Sequence, residues 1–110
     1  MSDMWRQGDV VIRKIGDNIP TNFKYATHIH REDGFKVEGE RSGHNHLMSN
    51  VDVYTGLEDS AYGLRSGTNA QMLVLEEPNT LRHPEHRELE LPRGVYIAYR
   101  VRDNIGRMGD

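Results

Sequence analysis

The chain has 110 residues, with 17 acidic side chains against 14 Lys and Arg, so its formal charge is −3 with histidine neutral. This length fits a single domain, the absence of cysteine excludes disulfides and thiolate metal sites, and the mild acidity argues against a nucleic-acid partner. The longest apolar run, Met72 to Leu75, is far shorter than the roughly 20 residues of a membrane-spanning helix, so we expect a cytoplasmic protein with no membrane contact.

Short segments rich in β-branched and aromatic residues, separated by glycines, predict strands in the first half of the chain. The first predicted strand runs from Asp9 to Ile15 and ends at the turn residues that follow it. Two further strands, Tyr25 to His30 and Phe35 to Glu40, flank the tight turn Arg31 to Gly34. We therefore predict a hairpin over residues 25–40.

The second half continues this pattern. Residues 70–76 are apolar on both faces, which predicts a strand buried on both sides, although a short buried helix also fits. Further strands are predicted at 43–50, 51–57 and 95–102, with a loop at 59–69 and a turn or a single helical turn at His83 to His86. About seven short strands predict an all-β fold, a small single-domain β-barrel or sandwich. We place this domain at residues 1–103, followed by a flexible C-terminal tail at 104–110.

The six histidines fall in three close pairs, which is the most informative feature of the sequence. On a strand, residues i and i+2 point to the same face, about 7 Å apart, and on a helical turn i and i+3 also share a face. Each pair is therefore a possible bidentate unit for a divalent transition metal such as zinc, iron, nickel or manganese. We predict a metal site formed by two of the pairs, with ligands His44, His46, His83 and His86.

The remaining pair, His28 and His30, lies beside an exposed turn and is interpreted as a polar strip facing water. Two acids accompany the predicted ligands: Glu40 precedes His44 by four residues, and Glu85 lies within the third pair. A carboxylate near a metal serves as a ligand, as an orienter of a histidine or as a general base. Glu40 and Glu85 are therefore the candidate catalytic residues.

The number of ligands decides what such a site does. Three bound histidines leave a position for water and permit hydrolysis or oxygen chemistry, whereas four close the site and make it structural. We expect a metal-dependent hydrolase acting on a small-molecule substrate. The sequence leaves the substrate, the metal and the oligomeric state open.

Two other interpretations use the same residues. In the first, the protein is a non-catalytic, phage-encoded module that docks a protein partner through the strand edges of residues 25–40, and hydrogen bonds of the histidines hold its loops together. In the second, the histidines sense pH, since protonating all six changes the formal charge from −3 to −3 + 6 = +3. Arg100 and Arg102, with Arg93 nearby, are interpreted as a solvated strand face, with contact to phosphate as the alternative.

Four motifs together resemble a family of small, uncharacterised bacterial and phage proteins. They are Gln-Gly-Asp-Val at Gln7 to Val10, Gly-Glu-x-x-Gly-His-x-His at Gly39 to His46, Leu-x-His-x-Glu-His at Leu81 to His86 and Leu-Pro-x-Gly-x-Tyr at Leu91 to Tyr96. The resemblance implies that the second and third motifs form one unit, and it implies no activity.

The His-x-His pair is also similar to that of cupins, small β-barrels that use such a pair, a Glu and a later His. Pro92 to Gly94 resembles their Pro-x-Gly turn, but His83 and His86 precede this turn instead of following it. This similarity is an analogy between sites and does not extend to the fold.

Overall fold

The computed structural model describes residues 3–38 and 44–101, in which ten β-strands form two antiparallel sheets. The strands are β1 (Met4–Gln7), β2 (Val10–Gly16), β3 (Thr27–Ile29), β4 (Phe35–Glu38), β5 (Asn45–Met48), β6 (Asp52–Thr55), β7 (Gln71–Leu75), β8 (Asn79–His83), β9 (His86–Leu91) and β10 (Gly94–Arg100). One 3₁₀ turn, Asp59–Tyr62, lies in the segment that the sequence predicted as a loop.

The six-stranded sheet has the order β1-β2-β10-β7-β6-β3, and the four-stranded sheet has the order β4-β5-β8-β9. The all-β prediction is confirmed. The two sheets form a sandwich, and the described strands do not close into a barrel. Within the described ranges there is no helix long and apolar enough to cross a membrane.

The main core lies between the two sheets. Val10 and Ile12 of β2 and Tyr96 of β10 meet Phe35 of β4 and Leu81 of β8, and all five are buried. Alternate residues of each strand point inward, so every strand supplies one apolar face to this core. A second cluster covers the other face of the six-stranded sheet and includes Met72 of β7. The prediction that residues 70–76 form a strand buried on both faces is therefore confirmed.

The predicted hairpin over residues 25–40 is wrong. The turn forms, since the N–H groups of Asp33 and Gly34 both donate to the carbonyl oxygen of His30, but β3 pairs with β6 and β4 pairs with β5. The chain crosses from one sheet to the other at Gly34 (φ +65°), and this crossing allows Phe35 to enter the core opposite Met48. Local turn chemistry did not reveal this, because β3 pairs with the more distant β6 and β4 pairs with the strand that follows it, β5.

Three strands were missed: β1, β8 and β9. In β9 five of the six residues are exposed or half-buried. Because many of them are charged, the sequence lacks the run of β-branched and aromatic residues that predicts a strand. The turn predicted at His83 to His86 is confirmed as the tight connection between β8 and β9. The predicted tail at 104–110 lies outside the described residues.

Candidate functional site

The structure brings together four imidazoles, those of His44, His46, His83 and His86, which we call the histidine cluster. β5 carries His46 and lies beside β8, which ends at His83, with Leu47 opposite Arg82. The ring centroids are 4.3 Å apart for His46 and His83, 4.6 Å for His83 and His86, 6.0 Å for His46 and His86, and 6.1 Å for His44 and His83. Two histidine pairs that are distant in sequence therefore lie side by side in the fold.

His46 is fully buried and both of its ring nitrogens face acceptors. Nδ1 lies 2.9 Å from Gln7 Oε1, and Nε2 lies 3.0 Å from Asp9 Oδ1. The amide nitrogen of Gln7 donates to the carbonyl oxygens of Leu81 (3.0 Å) and Arg87 (2.9 Å). Because the amide nitrogen of Gln7 is used in this way, its oxygen must accept from His46. The proton of a neutral His46 ring is therefore held at Nδ1.

Asp9 lies between this buried histidine and the guanidinium group of Arg100. Its second carboxylate oxygen, Oδ2, accepts a hydrogen bond from Arg100 Nε at 3.0 Å. Partial burial raises the pKa of Asp9, but the hydrogen bonds from Arg100, the backbone and His46 outweigh this and hold the pKa below its usual value. Asp9 is therefore ionised at neutral pH.

The pKa of His46 is also below its usual value. Burial lowers it, the hydrogen bond to Asp9 opposes this, and the neighbouring His83 and His86 lower it further. With Nδ1–H committed to Gln7, the neutral ring presents the lone pair of Nε2 to the ionised carboxylate of Asp9. Nε2 donates to Asp9 only when the ring is protonated. In the neutral ring two acceptors face each other at 3.0 Å, an arrangement that a cation between them stabilises.

The other three imidazoles differ in how their nitrogens are used. His83 is buried, and its Nδ1 accepts the backbone N–H of Glu85 at 3.1 Å, so the neutral ring carries its proton on Nε2. His44 Nδ1 lies 3.6 Å from Glu85 Oε2 at the surface. His86 is exposed, and within the described residues neither of its ring nitrogens makes a hydrogen bond.

All four predicted metal ligands thus lie in the cluster, and the candidate catalytic residue Glu85 lies beside His44. The other candidate, Glu40, falls outside the described residues. As the side chains stand, no group of three or more His, Asp or Glu within residues 3–38 and 44–101 is arranged to hold a metal ion. The remaining pair lies apart from the cluster: His28 is on β3, where it stacks on Tyr54 and faces Asp52 at 3.4 Å, and His30 follows the strand.

Sequence reasoning missed three residues of this site: Gln7, Asp9 and Arg100. Gln7 and Asp9 belong to the Gln-Gly-Asp-Val motif, which was interpreted only as part of a resemblance and as a strand start. Two polar residues flanking a glycine at a tight turn between strands were the available signal. Arg100 was interpreted as part of a solvated face, but it is tied to Asp9.

The comparisons with known proteins identify one family. A family model described as a domain of unknown function, DUF8820, matches residues 6–102. No curated protein and no solved structure matches the chain. The matched range includes the whole histidine cluster together with Gln7, Asp9 and Arg100.

Proposed function

Because the chain belongs to the DUF8820 family, whose description leaves its function open, we infer the function from the site and propose that the protein binds one divalent transition-metal ion at the histidine cluster. The ion would serve the hydrolysis of a small-molecule substrate. The observation that supports this proposal most directly is the pair of facing acceptors, His46 Nε2 and Asp9 Oδ1, 3.0 Å apart.

The separation of these two atoms, 3.0 Å, is close to that of two donors on one metal ion. Nitrogen and oxygen ligands at about 2.0–2.2 Å from the metal lie roughly 3 Å apart at a right angle and about 3.4 Å apart at a tetrahedral angle. Metal-binding histidines also donate their second ring N–H to a carbonyl or carboxylate, which fixes the tautomer. Gln7 Oε1 does this for His46 Nδ1, and the two backbone hydrogen bonds of the Gln7 amide hold that oxygen in place.

His86 is the best third ligand. It is exposed, its ring centroid is 6.0 Å from that of His46, and no described residue occupies its nitrogens with a hydrogen bond. His83 would have to release the backbone N–H of Glu85 from Nδ1 before its Nε2 presents a lone pair. We therefore assign His46, Asp9 and His86 as the ligands, with the rings of His83 and His44 beside them.

Two imidazoles and one carboxylate suit zinc, iron or manganese and leave a position open for water. Hydrolysis needs such a position and a base for the proton of water. Glu85 is the described acid placed for this role, since its exposed carboxylate lies 3.6 Å from His44 Nδ1.

Metal titration of the chelator-treated protein, followed by calorimetry and by elemental mass spectrometry after desalting, tests this proposal. We expect one equivalent of metal in the native protein and none in His86→Ala, an exposed position that leaves the fold intact. The variant His28→Ala/His30→Ala removes a His-x-His pair of the other sheet and is expected to bind like the native protein. Absence of binding by the native protein, or full binding by both His86→Ala and His46→Ala, would overturn the proposal.

A second function, a non-catalytic protein-binding module, is favoured by a different observation. His46 bonds Gln7 and Asp9, and His83 accepts the N–H of Glu85, so these histidines also serve to hold β1, β5 and the turn before β9 together. In this case the native protein binds no metal, and His46→Ala loses stability while His86→Ala does not.

A further inference from the structure

A polar cleft opens between the loop of residues 65–69 and the end of β10. Its polar lining comes from Arg65, Ser66, Thr68 and Asn69 of the loop, from Gln71 of β7 and from Tyr99 and Arg100 of β10. We propose that this cleft binds a phosphate group, free or on a small phosphorylated molecule, between the guanidinium groups of Arg65 and Arg100. This inference does not depend on metal binding at the histidine cluster.

The charge of the lining supports an anionic ligand. Among the described residues that line the cleft there are two arginines and no Asp or Glu, although the whole chain has a formal charge of −3. A phosphate monoester carries nearly two negative charges at neutral pH and offers three acceptor oxygens. Two guanidinium groups and the hydroxyl donor of Ser66 are complementary to such a group.

Arg65 is available for a ligand. Its guanidinium makes no hydrogen bond or ion pair with any described residue, whereas Arg31 is paired with Glu76 and Arg82 with Glu88. Arg65 is therefore an exposed arginine without a described partner, and it lies at the rim of the cleft. Because the described lining contains no Asp or Glu, Arg65 is placed to bind an incoming anion.

Arg100 is held in a defined orientation. Its Nε donates to Asp9 Oδ2 at 3.0 Å and its side chain is 35% exposed. Because only Nε is used among the described contacts, the two terminal nitrogens remain for a ligand. Asp9 Oδ1 also lies 3.0 Å from His46 Nε2. Only the side chain of Asp9 would therefore separate a phosphate bound to Arg100 from the histidine cluster.

The loop itself is fixed before a ligand arrives. The carboxylate of Asp59 accepts the backbone N–H groups of Gly67 (3.2 Å), Asn69 (3.1 Å) and Ala70 (3.0 Å). Thr68 Oγ1 donates to the carbonyl oxygen of Arg65 at 2.5 Å. A loop tied at four points loses little conformational entropy when it binds, which favours recognition of a small ligand.

Amide NMR spectra of the chelator-treated protein at constant ionic strength test this inference. Inorganic phosphate and glycerol phosphate are titrated separately while the amides of Gly67, Thr68 and Asn69 are followed. We expect saturable shifts at these amides, and tighter binding of one compound identifies free phosphate or a monoester as the better ligand. Arg65→Gln should weaken binding about tenfold through loss of charge-assisted hydrogen bonds.

Arg82→Gln is the matched control, because it removes an arginine that is already paired with Glu88 and does not line this cleft. It is expected to bind both compounds like the native protein. Shifts that do not saturate with either compound, or equal affinities in Arg65→Gln and the native protein, would overturn the inference. Since no metal is present, the result is independent of the proposed metal site.

Discussion

The backbone of Gly8 lies directly against the imidazole of His86: a Cβ atom on Gly8 would stand 2.7 Å from His86 Nε2. Gly8 has a φ of +59° in the turn between β1 and β2. Glycine is therefore required at this position by its backbone conformation and by the neighbouring ring. Gln7 and Asp9 flank Gly8 in the same turn. The tight turn between β1 and β2 therefore places three consecutive residues in contact with the histidine cluster.

We predict that Gly8→Ala displaces the His86 ring and weakens metal binding. Gly63→Ala is the matched control, because Gly63 also has a positive φ (+76°) but no described residue lies within 4 Å of the place that its Cβ would take. Gly63→Ala should lower the free energy of unfolding by about 1 kcal/mol through backbone strain. Gly8→Ala should lower it further, and only Gly8→Ala should change the metal titration. Equal effects of the two variants would contradict this explanation.

The orientation of Gln7 leads to a second prediction. In Gln7→Glu an acceptor replaces the donor that faces the carbonyl oxygens of Leu81 and Arg87. Facing acceptors in a buried site should lower the free energy of unfolding by on the order of 3 kcal/mol. Urea denaturation measures this loss.

The matched substitution Gln71→Glu makes the same chemical change at a half-buried position of β7. No hydrogen bond of the Gln71 side chain to a described residue is present, so its effect should stay below about 1 kcal/mol. A loss in Gln7→Glu no larger than that in Gln71→Glu would refute the assigned role of Gln7.

The pKa shifts of Asp9 and His46 predict loss of stability in acid. Both pKa values are lowered in the folded protein. The unfolded chain therefore binds protons more readily, and stability falls as pH decreases. For His46 the loss begins below its ordinary pKa of 6.5, and for Asp9 it begins below its ordinary pKa of 3.8.

Thermal unfolding of the metal-free protein between pH 8 and pH 5 checks this expectation for His46. The melting temperature should fall toward the acid end, and His46→Gln should reduce the slope. His30→Gln serves as the control for loss of a single exposed histidine. A slope that is the same in His46→Gln and the native protein would show that other groups cause the acid dependence.

Tyr96 provides a prediction at alkaline pH. Its ring is fully buried against Trp5, and its hydroxyl donates to the carbonyl oxygen of Pro92. Burial raises the pKa of Tyr96 to about 12, with a further contribution from Asp17. Burial also raises the pKa values of Tyr54 and Tyr62, so ultraviolet titration should show Tyr96 as the last tyrosine to ionise in the native protein. Tyr96→Phe should remove that last step.

Much of the local structure could be predicted from the sequence. The spacing of His44 and His46 on a strand and of His83 and His86 across a turn is a local property, because strand and turn geometry place such pairs on one face. The turn at Arg31 to Gly34 and the buried strand at 70–76 were recognised for the same reason.

What the sequence by itself determined is therefore the all-β fold and the close spacing of the histidine pairs, since period-two patterns and turn residues act over a few positions. Only the tertiary structure decided which pairs meet: β5 lies beside β8, and β3 and β4 separate into different sheets. It also decided that Gln7, Asp9 and Arg100 surround His46. Strand pairing between distant segments depends on burying the whole core at once, and no local pattern in the chain records it.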